Sequence, residues 1–357
     1  MKLLYATSIV WPSPLANRKQ IIRTSRALWG LMGEELLLGV HAASEKLPCP
    51  HRVLGGSPRS AILGLRYALL VRREQFTHVY CREEKLFFML RIYSFLLGGK
   101  AKFFFEAHGV SRALLFRLAV RLADGIVAIS HGIVSDLEKI GVPVARCTVV
   151  PDAVDAERFA GLMSKQEARR ELGLSPSGVL VAYIGSFGLY HSWKGIDVLL
   201  EAVPFADTSW TFLLVGGRKE EVEELKRLHP TENVLLWEHQ DSDTVTKVHV
   251  AADVLVIPNK GGNPTSERYT SPIKLFSYMA ATRPVLASDL PSIREIVSER
   301  EVFFFEPDNP RSLASVLHTI LSSPEEALAR AERARELVLA RYTWDKRASA
   351  ILAFLKK

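Results

Sequence analysis

Short apolar, β-rich runs alternate with longer amphipathic stretches along the whole chain, and this alternation constrains the fold more than any other feature. Strands are expected in the first half at 2–7, 36–41, 77–81, 102–106, 125–129 and 148–151. In the second half they are expected at 179–184, 211–215, 233–236, 253–257, 284–287 and 302–305. Most are unbroken Val/Ile/Leu/Phe runs, as expected for strands buried on both faces. Residues 17–31, 59–73, 130–140 and 196–203 carry apolar side chains at helical spacing. Repeated βα units form parallel, doubly wound sheets. A length of 357 residues fits two such domains. The join is expected in the charged stretch 154–177, which ends in Ser-Pro-Ser-Gly. Two such domains facing each other would leave a cleft, with ligand groups in the loops after the strands.

Several classes are excluded early. The three cysteines, Cys49, Cys81 and Cys147, are sparse and form no C-x-x-C pair. That argues against a disulfide framework or zinc knuckle and for reduced thiols in a cytoplasmic chain. The start, MKLLYAT, turns polar too soon for a secretory leader, and the greasiest stretch, 86–99, is broken by Arg91. No G-x-G-x-x-G follows the first strand, where SIVWPSP stands instead. No Walker loop, H-E-x-x-H or G-x-S-x-G occurs either. Hydride transfer, P-loop chemistry, zinc proteolysis and serine hydrolysis therefore lack support.

The net charge of +7 is uneven, with 21 Lys/Arg against 12 Asp/Glu in residues 1–155. Such a basic half suits an anionic partner. No nucleic-acid-binding signature accompanies it. The charge leaves two readings open: solvated basic residues, or contact with an anionic membrane surface through the basic, greasy segments 59–73 and 85–97.

Three loops can carry chemistry. Residues 185–195, GSFGLYHSWKG, join a strand to a helix, with small Gly185 and Ser186 and with Lys194 placed to meet a phosphate. Residues 259–280 run from Asn259 into a helix starting near Pro272, where the amides of Ile273, Lys274 and Leu275 are expected to be free for a second anion contact. In the first half Glu106 and His108 follow a strand two residues apart, and the imidazole there could donate to a hydroxyl or oxyanion.

Taken together these segments resemble the family 4 retaining glycosyltransferases. The closest match of pattern is SPIKLFSYMAATRPVLASDLPSIRE at 271–295, which is similar to the branch reading SPxKLFEYMA. WKGID at 193–197, ADGIVAIS at 123–130, VVPDAVD at 149–155 and Glu106-Ala-His108 resemble further segments of that family. The resemblance implies a GT-B fold, α/β, with two doubly wound Rossmann-like domains facing across a cleft. Residues 1–157 would bind the acceptor and 172–341 the nucleotide-sugar donor, with the tail 342–357 a helix crossing back to the first domain. By the same resemblance His108, Glu106 and Lys194 would serve catalysis. Gly185, Ser186, Lys194, Asn259, Glu267, Tyr269, Ser271, Pro272, Ile273, Lys274 and Ser277 would hold a nucleoside-diphosphate sugar. No metal or other cofactor is implied. The acceptor would be a saccharide or a lipid-linked hydroxyl, and the setting the cytoplasm or the inner face of a membrane.

The sequence departs from that pattern in places. Tyr269 and Ser277 occupy the positions of two expected glutamates, with Glu267 near enough to replace the first. Gly188 and Leu189 stand where an arginine is expected, a charge Lys274 could supply. The first loop also lacks a glycine pair. These departures keep a second reading open, a catalytically degenerate sugar-nucleotide or glycan-binding partner subunit. A third, a sugar-nucleotide 2-epimerase, is disfavoured because the loops lack an acidic cluster.

Overall fold

The computed structural model describes residues 1–13, 16–55, 60–161, 163–188 and 192–357, so Arg59 and Leu189 lie outside the described residues. The chain divides into two compact units, Met1–Asp152 with Trp344–Lys357, and Ala153–Thr343.

The first unit holds β1 Leu3–Ala6, β2 Val10–Trp11, β3 Leu36–Val40, β4 Ala42–Ala43, β5 His51–Val53, β6 His78–Cys81, β7 Lys102–Ala107, β8 Gly125–Ala128 and β9 Cys147–Val149. Its helices are α1 Ala16–Met32, α2 Ser60–Glu74, α3 Glu84–Leu96, α4 Leu114–Leu122 and α5 His131–Lys139. Seven strands form one parallel sheet in the order β5-β3-β1-β6-β7-β8-β9, and β2 pairs β4 separately. The short strands β2, β4 and β5 escape the sequence pattern because two or three residues show no period.

The second unit holds α6 Lys165–Glu171, β10 Leu180–Ile184, α7 Ile196–Ala202, β11 Thr211–Gly217, α8 Lys219–Leu228, β12 Val234–Glu238, α9 Ser242–Ala251 and β13 Val254–Ile257. It continues with α10 Ile273–Ala280, β14 Val285–Ser288, α11 Pro291–Arg294, β15 Phe303–Phe305, α12 Pro310–Ser322 and α13 Pro324–Arg341. Its parallel sheet runs β12-β11-β10-β13-β14-β15, the strand order of a Rossmann sheet. The last helix, α14 Trp344–Leu355, belongs to the first unit and packs against α1.

The alternation along β10 shows why the strands read as unbroken apolar runs. Leu180 and Ala182 enter one core with Leu213, Leu255, Phe276 and Met279, whereas Val181 and Tyr183 enter the other with Phe212, Leu214, Leu199 and Leu317. Both faces are dry, so polar alternation is absent. Each fully buried aliphatic or aromatic side chain there contributes about 1.5–3 kcal/mol of transfer free energy.

The structure moves the expected join. The stretch 158–171 is part of the second unit rather than a linker. A capping box of Ser164 and Glu167 starts α6. The buried guanidinium of Arg169 then donates to the carbonyls of Ala251 (2.9 Å) and Gly178 (2.9 Å) and to Asp253 Oδ2 (2.6 Å), with Lys165 on the other oxygen at 2.6 Å. These partners satisfy the guanidinium and pin α6 to the sheet. The unit therefore starts at Ala153 rather than near 172.

Candidate functional site

In each sheet the strand order reverses at one point, between β1 and β6 and between β10 and β13. Ligands of doubly wound sheets sit outside the carboxyl ends of the strands at such points. The loops singled out in the second half, 185–195 after β10 and 259–272 after β13, flank that position.

These two loops are bound to one another. The Lys260 N–H donates to the Trp193 carbonyl at 2.8 Å, and Lys260 Nζ meets Asp197 Oδ2 at 2.7 Å. Gly195 caps α7 with φ of +67°, and a Cβ built there would lie 1.7 Å from the Pro258 carbonyl oxygen. The backbones can approach this closely only at glycine. Tyr278 of α10 fixes the other side, donating to the Ile184 carbonyl (3.3 Å) and accepting from its N–H (2.8 Å). The rings of Phe159 and Tyr278 enclose His249, whose imidazole burial pushes down to about 4, so it stays neutral.

Within this frame two ammonium groups converge. Lys274 Nζ donates to Tyr183 Oη at 2.9 Å and lies 4.1 Å from the centre of that ring. A Cβ on Gly185 would be 3.2 Å from the same nitrogen. Lys194 Nζ donates to the hydroxyl of exposed Ser186. Burial first, and then the Lys194 charge, holds Lys274 well below the ordinary lysine range. Burial lowers Lys194 too, with Glu221 acting in the opposite direction. Among the described residues neither lysine is paired with a carboxylate.

The other expected donor residues are placed differently. Asn259 is buried, with Oδ1 unpartnered among the described residues. Glu267 Oε1 accepts from the Gly262 N–H at 2.7 Å and Asp308 Oδ2 from the Gly261 N–H at 2.7 Å, so these carboxylates hold the loop. Tyr269 ends a π-helical turn, Thr265–Tyr269, and Ser271 and Pro272 are buried beyond it. Ser277 is half-buried on α10. Among the described residues no bond joins Glu267 or Ser277 to either lysine. One expectation is corrected: the Leu275 N–H is not free but donates to the Pro272 carbonyl at 2.8 Å, because the first turn of α10 is tight. No side chain caps this helix, leaving Ile273 and Lys274 as its leading amides.

In the first unit, Glu83 Oε2 accepts from the Ser8 N–H of the first loop at 2.6 Å. Beside it, Glu106 is buried and accepts from Tyr5 Oη (3.1 Å), His108 Nε2 (2.8 Å) and Arg347 Nη2 of α14 (2.7 Å). With Nε2 donating to the Glu106 carboxylate, a neutral His108 carries its lone pair on Nδ1, which can accept a hydrogen bond. Sequence reading missed Arg347 and Tyr183. The signal for Arg347 was available, since it lies on the same helix face as Trp344, Ala348 and Ile351. Among the described residues no group of three or more His, Cys, Asp or Glu side chains could hold a metal ion.

Two family models match the chain: "Glycosyl transferases group 1" over residues 178–323 and "Glycosyltransferase Family 4" over 33–158. The D-inositol 3-phosphate glycosyltransferase of Segniliparus rotundus is 29% identical over 216 residues, covering 57% of this chain and 45% of that protein. The phosphatidyl-myo-inositol mannosyltransferase of Mycobacterium leprae is 28% identical over 207 residues, covering 56% and 52%. The chain thus spans about half the length of these curated relatives. Among solved structures, Anabaena Alr3699/HepE in complex with UDP superposes with a TM-score of 0.81 at 18% identity, covering 100% of both chains. The starch synthase IV catalytic domain of Arabidopsis thaliana, bound to ADP and acarbose, gives 0.74 at 11%, covering 99% and 98%. The fold is that of these glycosyltransferase structures: two Rossmann-like α/β domains, the GT-B architecture.

Proposed function

We propose that a chain whose halves match glycosyltransferase families moves a sugar from a nucleoside-diphosphate donor to a hydroxyl acceptor, with retention of configuration. The observation that carries this reading is the pair Lys194 and Lys274, which converge and, among the described residues, pair with no carboxylate. A diphosphate supplies the missing negative charge, and each ammonium then forms a charge-assisted hydrogen bond. The anomeric C–O bond to the phosphate breaks as the acceptor oxygen bonds to the same carbon on the same face. The acceptor's proton passes to the departing phosphate oxygen. The lysines stabilise the charge that grows there. In the first unit, His108 accepts a hydrogen bond from a substrate hydroxyl.

Relatives act on inositol phosphates and phosphatidylinositol by name, and neighbours are described with UDP, UDP-glucose and ADP. A panel of nucleotide sugars, incubated without acceptor and assayed for released nucleoside diphosphate, tests the reading. Slow hydrolysis of one donor is expected, with the released sugar first appearing in the donor's anomeric form. Stabilisation by diphosphates without hydrolysis of any sugar would instead favour the degenerate binding subunit.

We propose further that the acceptor is lipid-linked and that the first unit touches an anionic membrane. Among the described residues no helix is long and apolar enough to cross a membrane. Surface contact has better support, because α2 exposes Ile62, Leu65 and Leu69 along one side, next to Arg66 and Arg73, and α3 ends in Phe95 and Leu96, 74% and 70% exposed. Exposed apolar side chains among arginines suit the headgroup layer. Co-sedimentation with anionic vesicles, lost in high salt and in Phe95→Ser/Leu96→Ser, is the expected result. Recovery in the supernatant with anionic and neutral vesicles alike would end this proposal.

A further inference from the structure

The strangest residue of α14 is Arg347. The helix is otherwise anchored by Trp344, Ala348, Ile351, Leu352 and Leu355, and the guanidinium lies among them with its side chain 2% exposed. Its Nη2 meets Glu106 Oε1 at 2.7 Å, while Nε and Nη1 have no partner among the described residues. A buried ion pair rarely adds net stability over an apolar pair of similar volume. Some other effect should therefore favour arginine here.

Its partner suggests the answer. Glu106 Oε1 receives Arg347 and His108 together, and Oε2 receives Tyr5. Burial alone would push the Glu106 carboxyl up, but the Arg347 charge and the His108 hydrogen bond outweigh it and hold the carboxyl well below the usual range. Buried Tyr80 and Asp152 also face this cluster, and the Arg82 charge acts on Glu106 in the same direction as Arg347. An ionised carboxylate only accepts, so the ring nitrogen facing it must carry hydrogen. Without Arg347 only His108 and Arg82 would oppose the burial that pushes the carboxyl up, so proton uptake by Glu106 is favoured, and a carboxylic acid no longer dictates which imidazole nitrogen is protonated.

We infer that Arg347 is a positioning residue: by keeping Glu106 a pure acceptor, it fixes His108 as the Nε2–H tautomer with Nδ1 left as an acceptor. The C-terminal helix thus sets the chemistry of a loop more than 200 positions earlier in the chain. The consequence for turnover rests on the glycosyl-transfer reading above, but the tautomer itself does not.

The test begins without substrate. Long-range proton–nitrogen spectra of the full chain labelled in histidine, with His108 assigned by its loss in His108→Gln, report the ring directly at mildly alkaline pH. The wild type should show the Nε2–H pattern. Arg347→Met should shift it towards a mixture of the two neutral tautomers, and Arg347→Lys should restore it. Where Arg347→Met does not fold, Arg347→Gln, which keeps a donor but no charge, serves the same purpose. An unchanged Nε2–H pattern in a folded Met or Gln variant overturns the inference. Turnover of a nucleotide sugar that the wild type hydrolyses should fall roughly 10- to 100-fold in Arg347→Met, the range expected for a misplaced reacting group, with UDP affinity retained. Equal loss of UDP affinity would indicate general damage and also overturn it. A wild type that turns over no donor sinks the transfer reading, and the spectra alone then decide the inference.

Discussion

Gly195→Ala should destabilise the second unit by about 3 kcal/mol or more, enough to lower its melting temperature by roughly 6–12 °C. Two costs add. An alanine held at φ of +67° costs about 1–2 kcal/mol for backbone conformation. Its Cβ would also overlap the Pro258 carbonyl oxygen, 1.7 Å away, and overpacking against backbone costs a further 1–3 kcal/mol. Gly262→Ala separates the two. Its φ is +70°, but nothing lies within 4 Å of the added carbon, so only the conformational cost remains. Melting curves of both variants, followed by circular dichroism, check the difference. Equal small losses would mean that the loop after β10 and the segment after β13 are not pressed together as described. Because this contact seats Lys194, Gly195→Ala should weaken ligand binding as well.

Much of the architecture was legible in the sequence, for a physical reason. Parallel strands covered on both faces must be apolar throughout, so β1, β3, β6 to β8 and β10 to β15 stand out as runs, and their order supplies the switch points. The loops after β10 and β13 were legible for the same reason, and so were Lys194 and Lys274. What stayed hidden was set by contacts between distant positions. Nothing near Glu267 or Asp308 shows that their carboxylates would be used on the amides of Gly262 and Gly261. Ser8 gives no sign that Glu83, 75 positions later, would occupy its N–H. The role of Arg169 depends on Asp253, 84 positions away, and without that pairing its segment reads as a linker. His108 illustrates the limit most clearly. Its loop and its proximity to Glu106 follow from the sequence, but which ring nitrogen carries the hydrogen depends on the side-chain geometry.

The central claim is that Lys194 and Lys274 are held ready for a diphosphate. Calorimetric titration of UDP into the wild type, Lys194→Ala and Lys274→Met tests it most directly. Each ammonium should contribute about 1–3 kcal/mol through a charge-assisted hydrogen bond, so each variant should lose roughly 5- to 150-fold in affinity. The double variant should bind too weakly to measure. Lys274→Met carries a second signature: because burial and Lys194 both act against its charge, the unliganded variant should melt no lower than the wild type. Affinity lost while unliganded stability is kept is the result this account predicts. UDP binding equally tightly to all four proteins, or binding none, would contradict it.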